Sequence, residues 1–237
     1  MQLKKVKEKL TKHLLTSIGT SIEKFIHSSK KRGNLFLKIF ATNQLFCDTP
    51  SKETLIAHFK PWADSQKRID LEIRSACIES DYRYLTQLIE LYCGDQYRQI
   101  NAYLRYKEDL DHFEFREKAH LLTLIVYNAP RLHQDFVVYR SICQEFIREL
   151  HLKGVAFEKG FMSTTFDFQY ALNYKDGDSI LKIHVPPETP FVYTDIIKNR
   201  EESELLFPPN AGLTLISQPQ KVFNTGKMIY ECTMFYY

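Results

Sequence analysis

Several features that define common protein classes are missing from this chain of 237 residues. No stretch approaches the roughly 20 consecutive apolar residues that a membrane-spanning helix needs, so we expect no transmembrane segment. The charged first seven residues have no apolar run behind them, so we expect synthesis in the cytoplasm without a cleaved secretory signal. The sequence also shows no internal repeat and no low-complexity segment, which argues against a repeat architecture.

Cysteine is scarce and scattered, and this excludes two further kinds of protein. The five cysteines are Cys47, Cys77, Cys93, Cys143 and Cys232, and no Cys-x-x-Cys pair occurs among them. A structural zinc site needs closely spaced ligands, and a disulfide framework needs an even and denser set of cysteines. We therefore expect reduced thiols in the core, no disulfide framework and no metal site.

Acidic residues are rare in the first 40 positions, which contain Glu8 and Glu23 against ten lysines and arginines. Apolar residues recur there every three or four positions from Leu3 to Phe25 and predict an amphipathic helix. A basic amphipathic helix can bind an anionic membrane or an acidic partner, or its lysine stems can simply cover apolar surface on a solvated face. Aromatic residues are not interleaved with these lysines, so we expect no nucleic acid as a partner.

The composition as a whole is that of a globular protein, with 44% apolar and 26% charged residues. Helical periodicity extends to about residue 127, with breaks expected at Pro61 and Gly94. Short β-rich runs follow at 136–139, 180–185, 213–216 and 222–237, the last as a closing hairpin. Helices first and strands later predict an α+β fold. We expect a helical amino-terminal region, 1–75, for localisation or partner binding, and a second domain, 76–237, that carries the motifs below.

Three short motifs combine residue types that suit one reaction. Arg140 ends a β-rich run, Ser163-Thr164-Thr165 forms a hydroxyl cluster, and Glu202 and Glu204 stand two residues apart before an apolar strand. An arginine fork binds pyrophosphate oxygens, and a hydroxyl can hold a carboxylate in one orientation. If the glutamate segment is extended, both carboxylates enter one cleft, where they suit a developing cation and a proton to be removed. Each motif alone is also typical of an ordinary solvated surface.

Together, and in this order, the motifs resemble the mono-ADP-ribosyltransferases that carry an Arg, Ser-Thr-Ser, Glu-x-Glu signature, and their bacterial toxin-like branch above all. Residues 97–105 are similar to a helix with the pattern Ile-Asn-x-x-Leu-Arg that precedes the core in that branch. Residues 180–186 and 204–208 resemble the strand after the hydroxyl motif and the strand of the catalytic glutamate. The resemblance covers about residues 80–237 and implies a split β-sandwich that binds NAD between two small sheets.

The resemblance implies which residues would bind NAD. Arg140 would hold the phosphates, while Asn101 and Arg105 would contribute on the phosphate and adenosine side. Tyr174 matches an aromatic residue that precedes the next strand in the family. No metal is implied, because the chemistry of the family needs only NAD as co-substrate.

The resemblance also implies the catalytic roles. Ser163 would contact NAD and position Glu204, and Thr164 would brace the strand beside NAD. Glu204 would hydrogen-bond the nicotinamide ribose and stabilise its cation as nicotinamide leaves. Glu202 would activate the incoming nucleophile, and in this family a glutamate at that position goes with arginine acceptors, whereas glutamine goes with asparagine or glutamine acceptors.

Three positions depart from the family pattern. Thr165 stands where serine is common, residues 175–178 offer a lysine in place of an arginine, and the loop 195–200 lacks an aromatic residue that often meets the protein substrate. The resemblance therefore implies NAD-dependent mono-ADP-ribosylation of a protein side chain, with arginine as acceptor and a target-cell cytosol as the place of action. Two alternatives stay open on the sequence alone, an NAD glycohydrolase and an inactive transferase fold that serves as a binding module.

Overall fold

The computed structural model describes residues 49–76, 85–106, 113–174, 177–197, 202–222 and 225–236. The predicted amphipathic helix and all the basic residues counted above lie outside these ranges, so their structure and their proposed partners stay predictions. Of the described helices, none is long and apolar enough to cross a membrane.

The first half of the described chain is helical, as predicted. Its helices are α1 (Lys52–Ala76), α2 (Leu85–Leu91), α3 (Tyr97–Tyr106) and α4 (Phe113–Asn128), and a π-helical turn (Tyr92–Gln96) joins α2 to α3. The break expected at Pro61 is wrong, because Pro61 lies inside α1, where buried residues on both sides of it hold the helix against the core. The break expected at Gly94 is confirmed, because its backbone is non-helical, with ψ at −105°, and marks a kink between α2 and α3.

Short strands follow, with two further helices, α5 (Gln144–Lys153) and α6 (Phe168–Asn173). The strands are β1 (Phe136–Ile142), β2 (Val155–Glu158), β3 (Met162–Thr165), β4 (Ser179–Val185), β5 (Val192–Tyr193), β6 (Glu204–Phe207), β7 (Ala211–Leu215), β8 (Gln220–Lys221) and β9 (Met228–Phe235). Their order in the sheet is β2-β7-β9-β4-β1-β3-β6-β5, and β8 pairs with β9 as the predicted closing hairpin. The α+β class is confirmed.

The sheet is split into two halves at β1. That strand pairs with β4 along its whole length, but among the described residues it is joined to β3 through the single pair Tyr139–Thr165. Thr165 is also the register partner of Glu204 on β6. The arginine, hydroxyl and glutamate motifs therefore lie on three neighbouring strands, at the point where the two halves of the sheet separate.

Helix α1 belongs to the same hydrophobic core as the sheet. Leu55, Phe59 and Ala63 are buried in it, and the Phe59 ring lies 5.0 Å from the ring of Phe191. Asp70 on α1 accepts the backbone amides of Leu85 and Thr86 at the start of α2, at 2.8 and 3.0 Å. The boundary at 75/76 stays a prediction, but these contacts favour a catalytic unit that includes α1.

A chain that begins at Ser75 should therefore lose its cooperative fold, whereas one that begins at Thr49 should keep it. Loss of the buried Leu55 and Phe59 alone is worth roughly 5–10 kcal/mol on the scale of large-to-small core substitutions. That is comparable to the whole stability of a typical domain. Thermal melts followed by circular dichroism of both chains test this. Equal, cooperative melts would show that α1 is dispensable.

Candidate active site

A cavity of about 630 Å³ opens beside the split in the sheet. Such a volume is in the usual range for a small-molecule or cofactor site. Helix α3 and the π turn form one wall, β1 and β3 contribute the interior, and α6 and the glutamate segment form the other side. All the side chains predicted for the site line this cavity: Asn101, Arg105, Arg140, Ser163, Thr164, Tyr174, Glu202 and Glu204.

Arg105 and Arg140 are tied together by a carboxylate that sequence reasoning missed, Glu158 at the end of β2. Arg105 donates from Nε to Oε1 at 2.9 Å and from Nη2 to Oε2 at 3.0 Å, and Arg140 donates from Nη2 to Oε2 at 3.2 Å. Burial pushes the pKa of Glu158 up, but the two arginines and the amide of Gly160 outweigh it and hold that pKa below its usual range. Glu158 is therefore ionised at neutral pH.

Arg140 keeps one donor for a ligand. Its Nη1 is buried and has no hydrogen-bond partner within the part of the chain that the structure describes. Because a buried donor without a partner is costly, an anionic group in the cavity would stabilise this arrangement. The predicted contact of Arg140 with NAD phosphates fits this geometry and stays a prediction.

Asn101 is buried and makes its hydrogen bonds within the protein. Its Oδ1 accepts the amide of Phe161 at 2.8 Å, and its Nδ2 donates to the hydroxyl of Tyr92 at 2.9 Å. A Cβ at Gly160 would lie 2.7 Å from Asn101 Oδ1, so the close packing requires glycine there. Asn101 thus fixes the turn that leads into the hydroxyl motif of β3, and its own contact with NAD stays a prediction.

The hydroxyl of Tyr92 is a second feature that the sequence did not reveal. It accepts a hydrogen bond from Asn101 Nδ2 at 2.9 Å and donates to the carbonyl of Phe161 at 3.4 Å, and burial raises its pKa, with the charge of Glu204 adding to the shift. Tyr92 is therefore a neutral hydroxyl in the same cavity as the hydroxyl and glutamate motifs. Ser163 lines the same cavity as Tyr92, and its predicted role in positioning Glu204 stays a prediction.

Glu204 is held by Thr194, another residue that sequence reasoning missed. The Thr194 side chain is completely buried, and its Oγ1 donates to Glu204 Oε2 at 3.0 Å. This hydrogen bond fixes one carboxylate oxygen of Glu204 at the start of β6. Thr164, on the neighbouring strand, donates its hydroxyl to the carbonyl of Leu205 at 3.2 Å and so links β3 to β6.

The glutamate segment is not extended, and the premise that period two aims both carboxylates the same way is wrong. Ser203 has a left-handed backbone with φ at 52°, and β6 begins only at Glu204. Asp195 accepts the amide of Ser203 at 2.8 Å, and Thr165 donates its hydroxyl to the carbonyl of Glu202 at 3.1 Å. These bonds stabilise a tight bend that still brings both glutamates to the cavity.

Tyr174 stands at the mouth of the cavity, at the end of α6, where its side chain is 45% exposed. Asp167 caps α6 by accepting the amides of its first turn, and the Phe168 ring packs 5.2 Å from the ring of Tyr139 on β1. The short helix is thus anchored to the sheet. The Tyr174 ring at its end is placed where a ligand in the cavity could stack on it.

Thr194→Val should lower the turnover number by about ten-fold and leave the KM for NAD nearly unchanged. Valine keeps the volume of the buried side chain but removes the hydroxyl that fixes Glu204, and hydrogen bonds to charged groups are worth roughly 1.5–3 kcal/mol. Thr189→Val is the matched control, because Thr189 is also buried and donates to a backbone carbonyl, that of Pro186, at 2.7 Å. Equal kinetics in the two variants would contradict the role of Thr194.

An α+β fold with a split sheet, and an arginine, a hydroxyl cluster and two glutamates around one cavity, match the arrangement that the resemblance to ADP-ribosyltransferases implies. The family model for the ADP-ribosyltransferase exoenzyme matches residues 85–230, which is more than half of the chain. The chain therefore belongs to the ADP-ribosyltransferase exoenzyme family. It is a toxin-like mono-ADP-ribosyltransferase with NAD as its substrate.

Solved structures show the same fold. The C3 exoenzyme of Clostridium limosum has a TM-score of 0.56 at 16% identity, over 83% of this chain and 99% of that one. BECa, an ADP-ribosylating toxin of a C. perfringens binary enterotoxin solved with NADH, has a TM-score of 0.54 at 17% identity, over 76% of this chain and 48% of that one. The ADP-ribosyltransferase Vis, solved with agmatine, has a TM-score of 0.50 at 17% identity, over 79% of this chain and 87% of that one. No curated protein sequence matches the chain significantly.

Proposed function

We propose that this chain transfers ADP-ribose from NAD to an arginine side chain of a target protein and releases nicotinamide. The observation that carries the proposal is the placement on one cavity of an Arg140 donor, which has no partner in the described ranges, and of a fixed Glu204 carboxylate, with Glu202 beside them. A phosphate-binding group, a cation-stabilising group and a base are the three functions that the reaction needs.

On the NAD side, Arg140 and Arg105 bind the pyrophosphate. A guanidinium donates two parallel hydrogen bonds to phosphate oxygens, which orients the dinucleotide as well as holding it. Ser163 and Thr164 line the cavity next to the bound NAD, and Tyr174 offers an aromatic face at its mouth. The reaction needs no metal, and no three His, Cys, Asp or Glu side chains cluster as metal ligands in the described ranges. A metal-free site stays a prediction.

At the reacting centre, Glu204 stabilises the ribose as the bond to nicotinamide breaks. The bonding electrons leave with nicotinamide, and the ribose carbon becomes an oxocarbenium-like cation, as in glycoside hydrolysis. A carboxylate already fixed beside that carbon lowers the barrier, by about 3 kcal/mol if it equals one preorganised oxyanion-hole donor. Thr194 keeps the carboxylate in place, so little reorganisation is needed when the charge develops.

At the acceptor, Glu202 removes a proton from the attacking nitrogen. Arginine is protonated at neutral pH, so its guanidinium needs a base before a nitrogen lone pair can form the new bond to the ribose carbon. A glutamate at this position goes with arginine acceptors in enzymes of this signature. The binding of agmatine, itself a guanidinium compound, to Vis supports the same preference.

The proposed setting is the cytosol of a target cell, where a bacterial effector of this family would meet a host protein. Incubation of the chain with NAD labelled in the ADP-ribose and a eukaryotic lysate tests the function. We expect labelled protein, and mass spectrometry should place the label on arginine. Free ADP-ribose without labelled protein would identify a glycohydrolase, label on another residue type would contradict the arginine acceptor, and no consumption of NAD would identify a binding module.

A further inference from the structure

Glu158 has a position that the catalytic scheme above does not use. Its side chain is 6% exposed and, within the described chain, does not line the cavity, although both of its arginine partners do. Its hydrogen bonds within the described residues are with these two arginines and the amide of Gly160. A buried carboxylate in that position acts on a ligand only through the arginines.

Both oxygens of Glu158 are fully engaged. Oε1 accepts Arg105 Nε and the amide of Gly160, both at 2.9 Å, and Oε2 accepts one amino group from each arginine. One edge of the Arg105 guanidinium is thereby occupied, so its remaining amino group is the one available to the cavity. Arg140 contacts the same carboxylate through Nη2 alone, and its buried Nη1 has no partner among the residues that the structure describes.

The shared carboxylate also allows two cations to lie side by side. Two guanidinium groups in one buried cluster repel each other, and a single anion between them offsets that repulsion while leaving a net positive charge. A pyrophosphate carries two negative charges, so a preorganised site with net positive charge suits its binding. An unpaired arginine would instead have many rotamers to lose when it binds.

We infer that Glu158 is a positioning residue for the pyrophosphate, which sets the spacing and the exposed edges of Arg105 and Arg140 before NAD binds. The inference rests on the proposed function, because it takes NAD as the ligand of the cavity. A positioning role differs from a purely structural ion pair in one respect. If Glu158 positions the arginines, loss of its charge should weaken NAD binding more than it slows the chemical step.

Glu158→Gln in the full chain tests this through NAD hydrolysis, measured as nicotinamide release. We expect the KM for NAD to rise by about ten-fold or more and the turnover number to change by less than about three-fold. Glutamine keeps the volume, but its amide group places hydrogen-bond donors against the arginine donors. Glu149→Gln is the matched control, because Glu149 pairs with Lys153 on the exposed face of α5, and its kinetics should equal those of the wild type.

Two further variants keep the inference open to refutation. Glu158→Asp keeps the charge on a shorter stem, so its KM for NAD should lie between those of the wild type and Glu158→Gln. If Glu158→Gln does not fold, the KM of Glu158→Asp should still exceed that of the wild type. Arg105→Gln should raise the KM as well, and the double variant should show less than the product of the two single effects, because both changes break one interaction.

The outcomes separate this inference from the proposed function. A folded Glu158→Gln variant with the wild-type KM, or with a fall in turnover number alone, contradicts the inference and leaves the proposed function standing. If Glu158→Gln fails to fold, a Glu158→Asp variant with the wild-type KM contradicts the inference in the same way. A wild-type chain that neither binds nor cleaves NAD contradicts the proposed function first.

Discussion

Glu204→Gln is expected to slow nicotinamide release by roughly 100- to 1000-fold, with water and with a protein acceptor alike. The amide keeps the size of the side chain and a hydrogen-bonding atom for Thr194, but it removes the charge that stabilises the ribose cation. Both reactions break the same bond, so both need this carboxylate. Nicotinamide released per minute, with and without lysate protein, is the measurement.

The control for this variant is Glu149→Gln, which makes the same chemical change on an exposed helix face. Matching melting curves of the two variants would show that the loss is catalytic. If Glu204→Gln keeps transfer at more than about a tenth of the wild-type rate, the assignment of Glu204 to the ribose is wrong.

Glu202→Gln should separate the two reactions. Arginine transfer is expected to fall by roughly 100-fold or more, which is the usual scale for removal of a general base. Hydrolysis of NAD should keep much of its rate, because water attacks the ribose cation without the deprotonation that a guanidinium requires. The ratio of labelled protein to free ADP-ribose, measured in one reaction, reports this division of roles.

Two results would contradict that division. Loss of hydrolysis in Glu202→Gln as complete as in Glu204→Gln, with the fold intact, would place both glutamates at the ribose. Unchanged transfer in Glu202→Gln would show that its carboxylate is a solvated charge. The Thr165 hydroxyl holds the carbonyl of Glu202, so the substitution should not displace the loop.

The order of helices and strands could be predicted from the sequence because it depends on local patterns. Alternation over 180–185 became β4, and the apolar residues after Glu204 became β6. Local rules failed where tertiary contacts outweigh them. Pro61 is accommodated inside α1 because Leu55, Phe59 and Ala63 bury that helix, whereas the break at Gly94 follows the local rule.

The candidate site shows the same contrast. Residues that occur in motifs, such as Arg140 and Glu204, could be found because the chemistry selects a residue type at a recognisable spacing. The residues that hold them could not, since Glu158, Thr194 and Asp195 are ordinary polar residues until the fold brings them to partners far away in the chain. The left-handed backbone of Ser203 likewise goes with the hydrogen bond that its amide donates to Asp195.

The central claim is that the cavity beside the split sheet binds NAD for cleavage, and a crystal structure of the Glu204→Gln variant with NAD tests it most directly. The slow variant should retain the intact dinucleotide. We expect the pyrophosphate within hydrogen-bond distance of Arg140 Nη1 and the nicotinamide ribose beside residue 204. A dinucleotide bound elsewhere, or one with its pyrophosphate away from both Arg105 and Arg140, would contradict the account.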